Sequence, residues 1–170
     1  MAFKTSYNSA LGIPDIAPAT VDAVARYPVG TTIKAYDDTL GEGEFIYLPG
    51  VASTVAGDLI EYDLTPAAQA TVRGSNATSS NAGRPVAFAM GATVANTFGW
   101  YQIGGLAVVN AVAATAAGAM YASATAGSIS STLDAGDQIL NARISSGVGT
   151  PSAGKCYATI NRPFKQGNIT

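Results

Sequence analysis

Apolar and polar residues alternate with a period of two in short runs along most of the chain, as in β-strands that bury one face. Gly, Pro, Asn and Asp separate these runs and favour tight turns. A polar loop is expected at residues 65–83, with one weak strand at 70–73. The other predicted strands cover residues 31–36, 44–48, 59–64, 86–90, 99–103, 106–112, 120–125, 128–132, 138–144 and 155–160.

A similar tripeptide stands just before three of these strands. The tripeptides Ala56-Gly57-Asp58, Ala117-Gly118-Ala119 and Ala135-Gly136-Asp137 each precede an alternating run. Glycine adopts the positive φ that a tight turn needs, and an aspartate side chain accepts a hydrogen bond from a turn amide. With about ten short strands joined by such turns, the chain is predicted to be all-β, a small β-barrel or β-sandwich.

The two ends of the chain differ from the predicted β-domain at residues 29–162. Residues 1–28 are rich in proline, and the segment 19–26 is too short for a stable isolated helix. We interpret 1–28 as an extended arm that is either loosely ordered or reaches across to another subunit. Residues 163–170 form a predicted tail, with irregular structure expected from residue 161. No apolar segment follows Lys4, so no signal peptide is expected.

Residues 85–133 contain no Asp, Glu, Lys or Arg, so this run must be buried in a core, in lipid or against other protein. The segment 103–122 is long enough for a membrane helix, but it carries Asn110, Thr115 and several glycines and lacks flanking anchors. The period-two alternation favours strands. We therefore expect one face of each strand to fill the core, and the Ala, Ser and Thr face to lie against another subunit.

The composition favours a protein that works in an assembly. Only 12% of the residues are charged, about half the usual share, while 48% are hydrophobic. The net charge of −2 and the scattered basic residues argue against a nucleic-acid partner. Cys156 has no second cysteine to pair with and is interpreted as a small buried apolar residue.

The residues needed for common chemistry are missing or poorly arranged. The chain has no histidine, which excludes His-dependent triads and His metal ligands. No phosphate-binding glycine loop is present, and Asp134-Ala135-Gly136 lacks the hydroxyl residue of an aspartic protease motif. The four carboxylates within residues 37–44 either bind a hard cation such as Ca²⁺ or form a solvated acidic loop. We predict no enzymatic activity, no cofactor and no metal site.

Aromatic and apolar residues are the best candidates for contacts. Phe98, Trp100 and Tyr101 cluster within the uncharged run and are interpreted as core or interface anchors. The arm and the tail supply further candidates. The complete predicted interface set is Phe3, Tyr7, Ile13, Ile16, Phe98, Trp100, Tyr101, Arg162 and Phe164.

Four segments resemble small proteins encoded beside the major capsid protein of tailed bacteriophages. The Gly-Asp turns and the Ala-, Gly- and Val-rich strands are similar to those of phage capsid decoration (cement) proteins. No catalytic motif accompanies the resemblance. The segments are GEFIYLPGVASTVAGDLIEYD (43–63), GRPVAFAMGATVANTFGWYQIGGLAV (83–108), GAMYASATAG (118–127) and INRPFKQG (160–167).

The resemblance implies a tulip- or jelly-roll-like β-domain that sits as a dimer or trimer on the capsid lattice. It implies the major capsid protein as partner, synthesis in the bacterial cytoplasm and a final location on the virion surface, with no nucleic-acid or membrane partner. Two alternatives stay open. One is another phage structural role, in a head fibre, connector or tail; the other is a carbohydrate-binding module or hydrolase that uses Trp100, Tyr101 and the acidic loop.

Overall fold

This computed structural model describes residues 3–4, 16, 21–63, 71–76, 83–133 and 135–167, without the side chains of residues 71 and 72. Within these residues the chain forms strands and turns and no helix, which confirms the all-β prediction. The strands are β1 (Val21–Asp22), β2 (Thr32–Asp37), β3 (Gly41–Pro49), β4 (Leu59–Tyr62), β5 (Thr71–Arg73), β6 (Val86–Ala89), β7 (Phe98–Asn110), β8 (Gly118–Ala122), β9 (Ile129–Ser130), β10 (Gln138–Ile144) and β11 (Lys155–Lys165).

One antiparallel sheet contains all of these strands, and the long strand β7 lies at its centre. β7 pairs with β1, β3, β6 and β11, and β2 pairs with β3. The main path through the sheet is β5-β4-β6-β7-β11-β10-β8-β9. No ladder between described strands joins β5 to β9, so the sheet is not closed. Its ends still meet, because Asn76 N donates to Ser123 O (3.0 Å) and Gly127 N donates to Gly74 O (2.8 Å).

Strands β4–β7 and β8–β11 are two copies of the same four-strand unit. In the first copy β4 pairs with β5 and β6, and β6 pairs with β7. In the second copy β8 pairs with β9 and β10, and β10 pairs with β11. β7 and β11 pair with each other at the middle of the main path. The order β5-β4-β6-β7 in one half of the sheet therefore corresponds to the order β9-β8-β10-β11 in the other half. The strand order is therefore symmetric about the pair formed by β7 and β11.

The same turn, Val-Ala-x-Thr, precedes both copies and occurs a third time before β7. The turns are 51–54, 94–97 and 112–115, and their third residues, Ser53, Asn96 and Ala114, have φ of 66°, 64° and 63°. In each turn the threonine amide and hydroxyl both donate to the valine carbonyl, with hydroxyl distances of 2.8, 2.7 and 2.8 Å. This is the hydrogen bonding of a type II turn reinforced by the threonine side chain. The repeat is thus visible in the sequence of its turns.

Strand β7 continues through Gly104-Gly105, where the sequence pattern predicted a break. Gly105 has a φ of +94°, and the register with β3 shifts beside Gly104, so the strand bends without ending. The buried Gln102 supports the bend, because its Nε2 donates to the carbonyls of Gly104 (3.0 Å) and Leu106 (3.1 Å). One bent strand therefore replaces the two strands expected at 99–103 and 106–112.

Replacing Gly105 by alanine should destabilise the protein more than replacing Gly83 by alanine. Both glycines have positive φ, but a Cβ at Gly105 would lie 2.3 Å from the carbonyl oxygen of Glu42, whereas a Cβ at Gly83 meets nothing within 4 Å. Overpacking of this kind costs about 1–3 kcal/mol beyond the shared backbone strain. Urea unfolding of both variants measures the difference, and equal unfolding free energies would contradict the tight contact at the bend.

Buried apolar side chains cover both faces of the strands in the uncharged run. In β6, Val86 and Phe88 belong to one cluster and Ala87 and Ala89 to another, and all four residues are buried. β7 likewise contributes to clusters on both of its faces. The run is therefore mainly core, and most of its exposed small residues lie outside the strands. Cys156 is fully buried, and burial raises the pKa of its thiol to about 11.

The described residues of the N-terminal arm pack on their own β-domain. Phe3 and Ile16 are joined by two backbone hydrogen bonds of 2.9 Å and lie in the same buried cluster as Phe45. β1 adds a short strand to β7 through residues 21–22. At the other end of the chain, the expectation of irregular structure from residue 161 is wrong for the described residues 161–165, because β11 extends to Lys165.

Candidate interaction surface

The structure separates the predicted interface residues into three groups. Phe3, Ile16, Trp100 and Tyr101 are at most 1% exposed, so their side chains belong to the core of this chain and are not presented at its surface. Phe98 and Phe164 are partly buried, and Arg162 is exposed and paired with Glu44. Tyr7 and Ile13 lie outside the described residues.

Trp100 lies at the centre of an aromatic cluster that fixes β1 to the sheet. Its ring lies 5.1 Å from that of Tyr47 and 5.4 Å from that of Tyr27. The Tyr47 hydroxyl donates to Asp22 Oδ2 (2.7 Å), and Arg26 pairs with the same carboxylate (2.7 Å). The pKa of Tyr47 is raised to about 12, mainly by burial and secondly by the hydrogen bond to Asp22. These contacts indicate a structural role for Trp100.

An apolar pocket of about 370 Å³ opens beside the bend in β7. Most of its wall is apolar, and the side chains of Gln102 and Lys155 supply its main polar groups. Such a pocket is suited to an apolar group that carries an acceptor or a carboxylate next to Lys155. The apolar lining residues are Phe3, Leu40, Ala56, Ala89, Met90, Val108 and Pro151.

A chain of polar side chains holds the Lys155 ammonium at this pocket. Nζ donates to the carbonyl of Ala56 (2.8 Å) and to Oδ1 of Asn110 (2.7 Å). Asn110 in turn donates to Asp58 (2.8 Å), which is buried and pairs with Arg73 (2.9 Å). Burial lowers the pKa of Lys155, and the nearby Asp58 carboxylate partly opposes this effect. Asp58 also accepts from the Val55 amide (3.0 Å), as predicted for the Gly-Asp turn.

Uncharged turns form the most distinctive exposed surface. Turns 51–54 and 94–97 lie side by side, because Gly50 N donates to Thr97 O (2.7 Å) and Val51 N donates to Thr93 O (3.1 Å). We call residues 50–56 and 91–97 together the turn surface. Val55 and Val94 are 51% and 42% exposed there, and the surface contains no charged residue. Turn 112–115 occupies the equivalent place in the second copy and is followed by further exposed alanines.

The acidic loop is held by hydrogen bonds and ion pairs within the chain. Asp37 Oδ1 accepts from the amides of Thr39 (2.8 Å) and Leu40 (3.0 Å). Among the residues that the structure describes, no group of three or more potential metal ligands is found. The remaining carboxylates of the loop form the pairs Asp38–Lys4 (3.2 Å), Glu42–Lys34 (2.9 Å) and Glu44–Arg162.

Comparison with known proteins gives no match. No family model, curated protein or solved structure matches this chain. The described residues also contain no helix that is long and apolar enough to cross a membrane. Functional inference therefore rests on the surface itself and on the resemblance of the sequence segments.

The pocket could not be found from the sequence pattern. Lys155 begins a predicted strand and Gln102 lies within another, and nothing in their spacing places them together. They line the same pocket only in the folded sheet, where Lys155 of β11 pairs with Asn110 of β7. The turn surface, in contrast, carries a sequence signal, namely the repeated Val-Ala-x-Thr motif.

Proposed function

We propose that this protein is a structural component of a bacteriophage virion, a decoration protein that binds the outside of the major capsid shell and stabilises contacts between capsomers. The proposal assigns no enzymatic activity. Its site of action is the virion surface, its partner is the major capsid protein, and its working form is a homodimer or homotrimer.

The observation that carries the proposal is the uncharged turn surface. Exposed residues of soluble monomers are usually rich in charge, whereas Val55, Val94 and the alanines around them present apolar atoms to solvent. A surface of small uncharged side chains allows close approach of another protein without desolvating a charge. The resemblance of segments 43–63, 83–108, 118–127 and 160–167 to capsid-associated proteins supports the same partner.

A reconstitution experiment tests the proposal directly. Purified protein is mixed with expanded capsids that lack it, and the capsids are then recovered by sedimentation and imaged by electron microscopy. Regular density on the outside of the shell and higher thermal stability of the particles are expected. A protein that stays monomeric and does not co-sediment with these capsids would rule the proposal out.

Replacing Val94 by aspartate should abolish capsid binding while leaving the fold intact. The new carboxylate would have to be desolvated in the interface, whereas in the free protein it would stay in water because Val94 is 42% exposed. The free energy of unfolding should change by no more than about 0.5 kcal/mol. Val24, which is 77% exposed and outside the turn surface, provides the matched Val24→Asp control. Equal co-sedimentation of both variants would place the interface elsewhere.

The alternatives predict different images and different ligands. A head fibre, connector or tail component would label one vertex or the tail, whereas a decoration protein labels the whole shell. A carbohydrate-binding module would need exposed aromatic rings, yet Trp100 and Tyr101 are buried. Binding to a glycan array in the absence of capsid binding would favour that alternative.

A further inference from the structure

Lys165 is the most deeply buried cation among the ion pairs of the described residues. Its side chain is 1% exposed, whereas the cations of the other pairs have side chains at least 25% exposed. Lys165 Nζ lies 2.8 Å from Asp137 Oδ1, 2.8 Å from the carbonyl oxygen of Ser75 and 3.6 Å from Glu61 Oε1. The side chains of Glu61 and Asp137 are 0% and 11% exposed. An amine and two carboxyl groups thus meet inside the protein.

Lys165 Nζ lies close enough to the Asp137 carboxylate to pass it a proton directly. Removing an ion from water costs several kcal/mol. Transfer of one proton from the Lys165 ammonium to the Asp137 carboxylate removes two charges at once. The cluster then contains a nucleophilic amine in contact with a carboxylic acid, with the second carboxylate, Glu61, beside the amine.

From this constellation we infer that Lys165 and Asp137 form an intramolecular isopeptide bond, with Glu61 carrying the proton. The neutral Nζ attacks Cγ of protonated Asp137, and a carbon–nitrogen bond forms. Glu61 accepts the proton that Nζ loses and returns it to the departing Asp137 oxygen, which leaves as water. One ammonium and one carboxylate become one amide and one water, so no oxidant, reductant or cofactor is required.

The backbone holds the reacting groups in place before the reaction. Lys165 pairs with Ile139 across the β10–β11 ladder, and its amide donates to the carbonyl of Arg84 (3.0 Å). The carbonyl of Asp137 accepts from the amide of Ala122 (2.9 Å). Reacting groups fixed in contact by their scaffold reach effective concentrations of about 10⁵–10⁸ M, which compensates for the poor reactivity of a carboxyl group.

Ser75 orients the amine and remains satisfied in the product. Its carbonyl accepts one hydrogen of Nζ (2.8 Å), which directs the nitrogen between Ser75 and Asp137. The amide product keeps one N–H on this nitrogen, so the hydrogen bond to Ser75 survives the reaction. The bond would tie the end of β11 to the turn before β10. This inference depends on the buried cluster alone and is independent of the proposed virion role.

Mass spectrometry of the purified full-length protein tests the inference without any substitution. The intact mass is expected to fall below the polypeptide mass by one water, and proteolysis should release a branched peptide that joins the segments around Asp137 and Lys165. The Lys165→Arg variant, prepared in the same way, keeps a positive charge and should show its full mass. A folded wild-type protein with the full mass and two separate peptides would overturn the inference.

Two further variants test the chemistry and the role of Glu61. In the Asp137→Asn variant the leaving group is ammonia. The mass of the cross-linked variant should therefore fall by one ammonia instead of one water. If this variant forms a cross-link but still loses water, the assignment of Asp137 is wrong. Glu61→Gln cannot carry the proton and should form the bond about 10²–10⁴-fold more slowly, leaving uncross-linked protein soon after synthesis. Cross-linking of Glu61→Gln at the wild-type rate would remove Glu61 from the mechanism.

Discussion

Replacing Trp100 by alanine is expected to lower the free energy of unfolding by about 3–5 kcal/mol, the range measured for truncating large buried side chains. Trp100 is 1% exposed and contacts Tyr27 and Tyr47, so the substitution removes buried apolar area and leaves a cavity under β1. Urea denaturation followed by circular dichroism measures the loss. The effect should be large because the hydrogen bond to Asp22 holds the neighbouring Tyr47 ring and keeps it from filling the space.

Tyr36→Ala is the matched control for Trp100→Ala. Tyr36 is 45% exposed, and its backbone pairing with Lys4 does not depend on the ring, so its unfolding free energy should change by about 0.5 kcal/mol or less. If Trp100→Ala were as stable as the wild type but no longer bound capsids, Trp100 would be an interface residue, and the core assignment would be wrong.

Replacing Lys165 by methionine is expected to cost at least 3–5 kcal/mol. The substitution removes both the cross-link and the amine from the cluster and leaves the Glu61 and Asp137 carboxyl groups buried, and removal of one partner from a buried ionic pair has a cost of about this size. Methionine fills a similar volume and leaves no large cavity. The loss of stability therefore measures the contribution of the charge and bonding of Lys165. Chemical denaturation at neutral pH provides the measurement.

Lys155→Met is the control that shows how much stability is lost when a lysine outside the buried cluster is replaced. Lys155 is partly buried and donates to neutral oxygens of Ala56 and Asn110, so its removal should cost about 1 kcal/mol. Two lysine variants of equal stability would show that the Lys165 cluster carries no special stabilisation.

The strands were predictable because their patterns depend on local sequence. β2 shows the alternation of exposed and buried residues that its sequence indicates, and the β8–β9 hairpin forms around Gly127 as expected. The repeat of the four-strand unit could not be predicted as a whole, because only its turns share sequence. Between 51–57 and 112–118, five of seven positions are identical, namely Val, Ala, Thr, Ala and Gly.

The errors arose where glycine and proline do not end a strand. Gly104-Gly105 resembles a break, but Gln102 and the neighbouring strand support a bend instead. Pro163 resembles a stop signal, yet the β10–β11 register shifts opposite it and Arg162 adopts a φ of +47°, so a bulge accommodates the proline. Both outcomes depend on a partner strand that is distant in sequence.

The candidate sites were harder to predict than the strands because they depend on tertiary contacts. The sequence predicts Phe3 and Ile16 of the arm as interface anchors because the prolines near them indicate an extended segment, but the two residues fill the core. Lys165 was assigned to an irregular tail. Its only signal in the sequence was Glu61, a carboxylate inside an otherwise apolar strand that needs a buried partner.

The position of Lys165 in the last strand has a consequence for synthesis of the protein on the ribosome. Glu61 and Ser75 emerge early, whereas Lys165 follows 90 residues after Ser75. Until β11 has left the ribosome, the sheet lacks the strand that joins its two halves, and burial of Glu61 would leave a carboxylate without its cation. A nascent chain that stops before β11 therefore gains little from folding and stays accessible to proteases.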